Sequence, residues 1–86
     1  MDRRDSPEKM HEMEHWLAEV NDELDLDPAL IAEHKDSLLH LIGVIAHGPS
    51  RPGAPLSAFL IGYAAASGSD VEELVAAVEA RANAWA

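Results

Sequence analysis

The 86-residue chain contains no cysteine. Disulfide bonds and thiolate metal sites are therefore excluded, and the composition fits a reducing compartment. Aromatic residues are also scarce, at 5% of the sequence, so leucine, isoleucine, valine and alanine have to fill the core. Such a core suits packed helices. Separately, we expect the protein to bind no cofactor.

Long apolar runs are missing as well. The longest, residues 38–46 and 54–66, are shorter than the roughly 20 residues of a membrane-spanning helix. The charged residues 1–5 are not followed by the apolar segment of a signal peptide. We therefore expect a cytoplasmic protein that does not enter a membrane.

Carboxylates are absent from the middle of the chain, since all sixteen Asp and Glu residues lie before Ser37 or after Ser69. The formal net charge of −10 would repel a phosphate backbone, which argues against nucleic-acid binding. The uncharged middle is typical of a buried centre; a docking surface is the alternative.

Apolar residues recur at helical spacing in four segments, which predicts helices over about 7–23, 28–47 and 55–66 and a fourth after Ser69 with an apolar stripe from Val71 to Trp85. Ser6 and Asp27, each followed by proline, are the expected N-caps of the first two helices. Ser69 and Glu72 form the pattern of a capping box for the fourth.

Three prolines and two glycines in the segment 47–57, called the corner below, prevent one helix from crossing it. Gly48 is expected to end helix two in a left-handed conformation, and Gly62 to let a neighbouring helix approach helix three closely. The sequence thus predicts an all-α fold, a four-helix bundle with short connections and a Pro/Gly-rich corner between helices two and three. Residues 1–5 are expected to be a disordered tail and residues 6–86 a single domain.

The segment His11-Glu12-Met13-Glu14-His15 satisfies the zinc-peptidase pattern H-E-x-x-H. Catalysis of that kind needs a desolvated cleft and a third ligand, whereas this pair lies on the charged face of helix one. The competing interpretations are a solvated face and adventitious metal binding by His11 and His15.

Asp36-Ser37-Leu38 matches the short motif in which acyl carrier proteins, also small acidic bundles, carry phosphopantetheine on the serine. No carboxylate follows in residues 39–43, so the acidic recognition helix of a carrier is missing. A carrier modified at Ser37 is the alternative function, and a serine inside a helix or recapping a break in helix two is the structural interpretation.

His40 and His47 share one side of helix two, where His40 could pair with Asp36 or simply belong to a solvated stripe. His47, Arg51 and Ser57 lie at the corner, beside the start of helix three. They could hold an anion or a partner's carboxylate. The alternative is that Arg51 ties down the corner's own carbonyl groups.

The corner resembles a known family. The residues that carry the resemblance are His47-Gly48, Arg51-Pro52, Ala54-Pro55-Leu56, Phe59-Leu60 and Gly62, with Trp16-Leu17, residues 23–28 and Ala64-Ala65. Together they resemble a small bacterial helical domain of unknown function that occurs alone or fused to the C-terminus of molybdenum cofactor guanylyltransferase. The resemblance covers about residues 15–68. One departure is Asp25, where glycine is expected.

This resemblance implies a non-catalytic accessory or adaptor domain associated with molybdenum cofactor biosynthesis. The transferase's glycine-rich nucleotide motif and metal-binding aspartates are absent from the sequence, so we do not expect an enzyme. The expected partner is a protein, such as an enzyme of that pathway. A homodimer is also left open, because the apolar second helix would leave part of its surface uncovered.

Overall fold

The computed structural model describes residues 6–85, which form four α-helices. They are α1 (Pro7–Leu24), α2 (Pro28–His47), α3 (Gly53–Ala66) and α4 (Val71–Asn83). The all-α class, the four helices, the short connections and the break at the corner are confirmed. The tail proposed for residues 1–5 lies outside the described residues.

Two compact units divide the chain, residues 1–32 and residues 33–86. The single domain expected from the sequence stays a prediction. The first unit contains α1, and Ser6 is its N-cap. The Oγ of Ser6 accepts a hydrogen bond from the backbone N–H of Lys9 at 3.2 Å. The expected cap is thus confirmed. Every side chain of α1 keeps some exposure, and Trp16 is 63% exposed.

The turn after α1 depends on a left-handed residue. Asp25 has φ 55° and ψ 48°, and the N–H of Leu26 donates to the carbonyl of Asn21 while that of Asp25 donates to Asp22. This pair of bonds is the Schellman arrangement, in which glycine is the usual left-handed residue. The tight turn therefore forms although aspartate stands where the family resemblance leads us to expect glycine.

The second unit has a core shared by α2, α3 and α4. Its buried residues are Leu41 and Ile45 from α2, Ala54 and Ile61 from α3, and Val75 from α4. Leu41 is completely buried, so the second half of α2 contributes to this core. Isoleucine, valine and alanine fill the remaining space, as the scarcity of aromatics requires.

The structure corrects two helix starts. α4 is capped by Asp70, whose carboxylate accepts from the N–H of Glu73 at 3.0 Å, so the capping box of Ser69 and Glu72 is wrong. α3 begins at Gly53 rather than at about Pro55, because Ser50 Oγ accepts from the N–H of Gly53 at 3.1 Å. Pro55 then lies in the first turn, where a missing N–H costs little.

The glycines also differ from expectation. Among residues 6–85 a positive φ occurs only at Asp25 and Gly68, so Gly48 is not left-handed. It is needed for a different reason: a Cβ there would lie 2.8 Å from the backbone oxygen of Val44. A Cβ on Gly62 would meet nothing within 4 Å, so the expectation that Gly62 admits a neighbouring helix within the chain is wrong.

The remaining connections follow the sequence. Asp27 Oδ1 accepts from the N–H of Ala29 at 2.9 Å, which confirms the cap of α2. Gly68 ends α3 with φ 115°. No helix within the described part of the chain is both long and apolar enough to cross a lipid bilayer.

Candidate functional site

The corner is held by its own backbone and by one serine. The N–H groups of Gly48 and Ser50 donate to the carbonyl of Ile45 at 3.2 and 3.1 Å, and the N–H of Ala54 donates to that of Arg51 at 3.2 Å. Ser50 Oγ accepts from Gly53. The N–H groups of Gly53 and Ala54, in the first turn of α3, already donate hydrogen bonds within the corner. Few N–H groups are therefore left there to bind an anion.

The predicted site residues at the corner differ in their availability. The side chains of His47 and Arg51 are exposed, whereas Ser57 is partly buried and its hydroxyl donates to the carbonyl of Gly53 at 2.9 Å. The sequence offered Arg51 as one candidate for binding the corner's carbonyl groups. In the structure, the hydrogen bonds of the corner are made by Ser50 and the backbone. Two cationic or ionisable side chains therefore project from a stiff segment that does not use them.

A second polar cluster, which sequence reasoning missed, joins α2 to α4. The ring Nδ1 of His34 lies 2.6 Å from Oε2 of Glu72, and Oγ of Ser37 lies 2.9 Å from the same oxygen. The hydrogen bond with His34, and then that with Ser37, lowers the pKa of the Glu72 carboxyl from its ordinary 4.5. Glu72 is thus held ionised by its neighbours on α2.

This cluster does not have the order of a catalytic triad. His34 and Ser37 each form a hydrogen bond with the carboxylate of Glu72. In a catalytic triad the serine would instead be hydrogen-bonded to the histidine, which acts as its base. Ser37 Oγ also lies 3.1 Å from the backbone oxygen of His34. The group fastens two helices and supplies no activated nucleophile.

The environment of Ser37 also bears on the carrier alternative. α2 runs unbroken through Ser37, so the break considered near Asp36 does not occur. The hydroxyl is partly buried and bonded to Glu72. A carrier serine has to be presented to a modifying enzyme, and this one lies inside a helix and faces α4.

His40 finds a different partner from the one suggested by the sequence. Its Nε2 lies 3.6 Å from Oε1 of Glu79 on α4, rather than pairing with Asp36. The pair is a second, more exposed link between α2 and α4.

His11 and His15 lie on the exposed face of α1, and their ring centroids are 5.2 Å apart. Within the described residues, no group of three or more His, Cys, Asp or Glu side chains could hold a metal ion. The spacing of the H-E-x-x-H pattern is therefore present without a third ligand in the described chain.

An exposed apolar surface of the second unit lies on α3. Four side chains spaced like one helix face are between 67 and 70% exposed, and we call them the α3 stripe: Leu56, Phe59, Leu60 and Tyr63. Beside it, a groove between α3 and α4 is lined by Ser57, Leu60, Ile61, Ala64, Leu74 and Val78. A signal was present in the sequence, because α3 has no charged residue and most of its residues are apolar.

A family model matches residues 8–86, and it describes a domain of unknown function, DUF6457. The chain belongs to this family. The match includes almost all of α1 and the whole of α2, α3 and α4, so the DUF6457 domain comprises all four helices. No curated protein and no solved structure matches the chain.

Proposed function

We propose that this DUF6457 domain is a non-catalytic adaptor that binds a protein partner through its corner, in bacterial molybdenum cofactor biosynthesis. The observation that carries the proposal is the exposure of Arg51 on a segment whose own hydrogen bonds it does not supply. An arginine that the fold does not use is available to a carboxylate of a partner, to which its planar fork can make two parallel hydrogen bonds.

The neighbourhood of Arg51 supports recognition of an acidic group. His47 is exposed at the end of α2, and no carboxylate lies between Ser37 and Ser69 in the sequence. All sixteen Asp and Glu residues lie before Ser37 or after Ser69, so the sequence favours the middle of the chain for meeting a partner's carboxylate with little repulsion.

The pathway rests on the resemblance of the corner to the domain fused to molybdenum cofactor guanylyltransferase. If the separate domain works together with the same enzyme as the fused domain, it has to bind that enzyme as a second chain. The guanylyltransferase of the same organism is therefore the partner to test.

The test is calorimetric titration of the guanylyltransferase with the full chain. We expect binding that Arg51→Ala weakens by roughly tenfold or more, the effect of losing a hydrogen-bonded charge pair. Arg81→Ala is the matched control, since Arg81 is an exposed arginine in the last turn of α4, and it should leave the affinity unchanged. Absence of binding by the natural chain, or equal loss in both variants, would refute the proposal.

A further inference from the structure

The four apolar side chains of the α3 stripe are mostly exposed to solvent and do not contribute to the core. Phe59 and Tyr63 contact each other, with ring centroids 6.5 Å apart, and both remain open to solvent. Solvent-exposed apolar residues at i, i+3, i+4 and i+7 of one helix form a contiguous patch of the kind that marks interaction sites.

We propose that the stripe is the interface of a homodimer, in which α3 of one chain packs antiparallel against α3 of a second copy. The two-fold axis passes near Phe59 and Leu60, the middle of the stripe, so that Leu56 of each copy approaches Tyr63 of the other. This goes beyond the proposed adaptor function, because the dimer needs no other protein.

The distribution of charge favours a second copy of the chain as the partner of the α3 stripe. Each chain has a formal charge of −10, so two copies repel each other wherever their carboxylates come together. α3 contains no charged residue from Gly53 to Ala66, and it is the helix through which two identical acidic chains can meet without burying a carboxylate. An isologous contact also requires a self-complementary patch, which an uncharged apolar stripe provides.

The area is sufficient for such a contact. A large side chain presents roughly 200 Å² when fully open, so the four residues expose about 500 Å² on each copy. A dimer would bury about 1,000 Å² from these side chains alone, close to the roughly 1,200 Å² at which specific interfaces begin. The adjoining groove between α3 and α4 adds apolar surface.

Analytical ultracentrifugation of the full chain over a range of concentrations tests the proposal. We expect a concentration-dependent dimer, strengthened by salt because screening reduces the repulsion between the acidic chains. Tyr63→Glu should weaken dimerisation by at least tenfold, whereas Ala76→Glu, which adds the same charge at an exposed position of α4, should change it less than threefold. A monomer at every concentration and salt level, or a dimer that tolerates Tyr63→Glu, would overturn the proposal.

Disulfide trapping gives an answer even if Tyr63→Glu fails to fold. The chain has no cysteine, so Leu60→Cys places a single thiol near the proposed axis, and Ala76→Cys places one away from it. Under mild oxidation the first variant should form a covalent dimer at least ten times faster than the second. Equal rates would contradict the interface on α3.

Discussion

The ring Nδ1 of His34 lies 2.6 Å from Oε2 of Glu72, which joins α2 to the first turn of α4 across 38 residues of sequence. Ser37 adds a second hydrogen bond to the same carboxylate oxygen. The sequence pattern assigned Glu72 to a local capping box with Ser69, and the structure gives that glutamate to α2 instead. These hydrogen bonds therefore connect two helices rather than cap one of them.

Glu72 should make stability depend on acidity. Its pKa is lowered in the folded chain, chiefly by the hydrogen bond with His34, so its contribution to the free energy of unfolding is complete above its ordinary pKa of 4.5 and is lost as the pH falls through the lowered value. Denaturant unfolding measured between neutral pH and pH 3 should show Glu72→Gln to be less stable than the natural chain above pH 5. The difference should shrink below pH 4.5.

The matched control is Glu73→Gln, which removes a charge from the same first turn of α4 and so changes the interaction with the helix dipole similarly. Its difference from the natural chain should be smaller at neutral pH. Equal pH profiles for the two variants would show that the bonds to His34 and Ser37 do not stabilise the ionised Glu72.

Asp25 should be a site at which glycine stabilises the protein. Its left-handed conformation strains an L-residue, and glycine adopts it freely. Asp25→Gly should raise the free energy of unfolding by about 0.5–1 kcal/mol, whereas Asp25→Ala should lower it. Thermal and denaturant unfolding followed by circular dichroism measures both. Asp22→Gly, within α1, is the control and should cost about 1 kcal/mol; stabilisation by both glycines would refute the explanation.

Two glycines should respond to alanine with opposite signs. A Cβ on Gly48 would lie 2.8 Å from the oxygen of Val44, so Gly48→Ala should destabilise the chain by about 1–3 kcal/mol. Gly62→Ala should stabilise it by about 0.5–1 kcal/mol, because the position is exposed, helical and open. Unfolding at low protein concentration separates these effects from self-association. Changes of the same sign would contradict the packing described at the corner.

Ser37 should not be modified by a phosphopantetheinyl transferase. Its hydroxyl is partly buried inside a continuous helix and bonded to Glu72. Incubation of the chain with the enzyme and coenzyme A should leave the intact mass unchanged, while an acyl carrier protein treated in parallel gains one phosphopantetheine. A mass gain abolished by Ser37→Ala would establish the carrier function instead.

Local chemistry made most of the fold predictable. Ser6 and Asp27 cap helices because a side-chain oxygen satisfies a nearby N–H, and Leu41 is buried because its helix is apolar on most sides. The errors have local causes too. Asp70 rather than the neighbouring Ser69 caps α4. α3 begins at Gly53, two residues before the proline from which its start was predicted.

The candidate site was less accessible to sequence reasoning. Arg51 could be singled out because it is the lone charge in a neutral stretch, but its exposure depends on which groups fasten the corner. The partners of Glu72 depend on the packing of α2 against α4, which no spacing in the sequence encodes. The apolar character of α3 was visible, and only the structure shows which of its faces the core covers.

Nuclear magnetic resonance can identify the residues of this domain that contact a partner and so tests whether the corner is the binding surface. Isotope-labelled chain is titrated with the guanylyltransferase while the backbone amide signals are followed. We expect the perturbed signals to concentrate in residues 47–57 and Arg51→Ala to abolish the perturbation. Signals that remain unchanged, or that change mainly around His11 and His15 on α1, would contradict it.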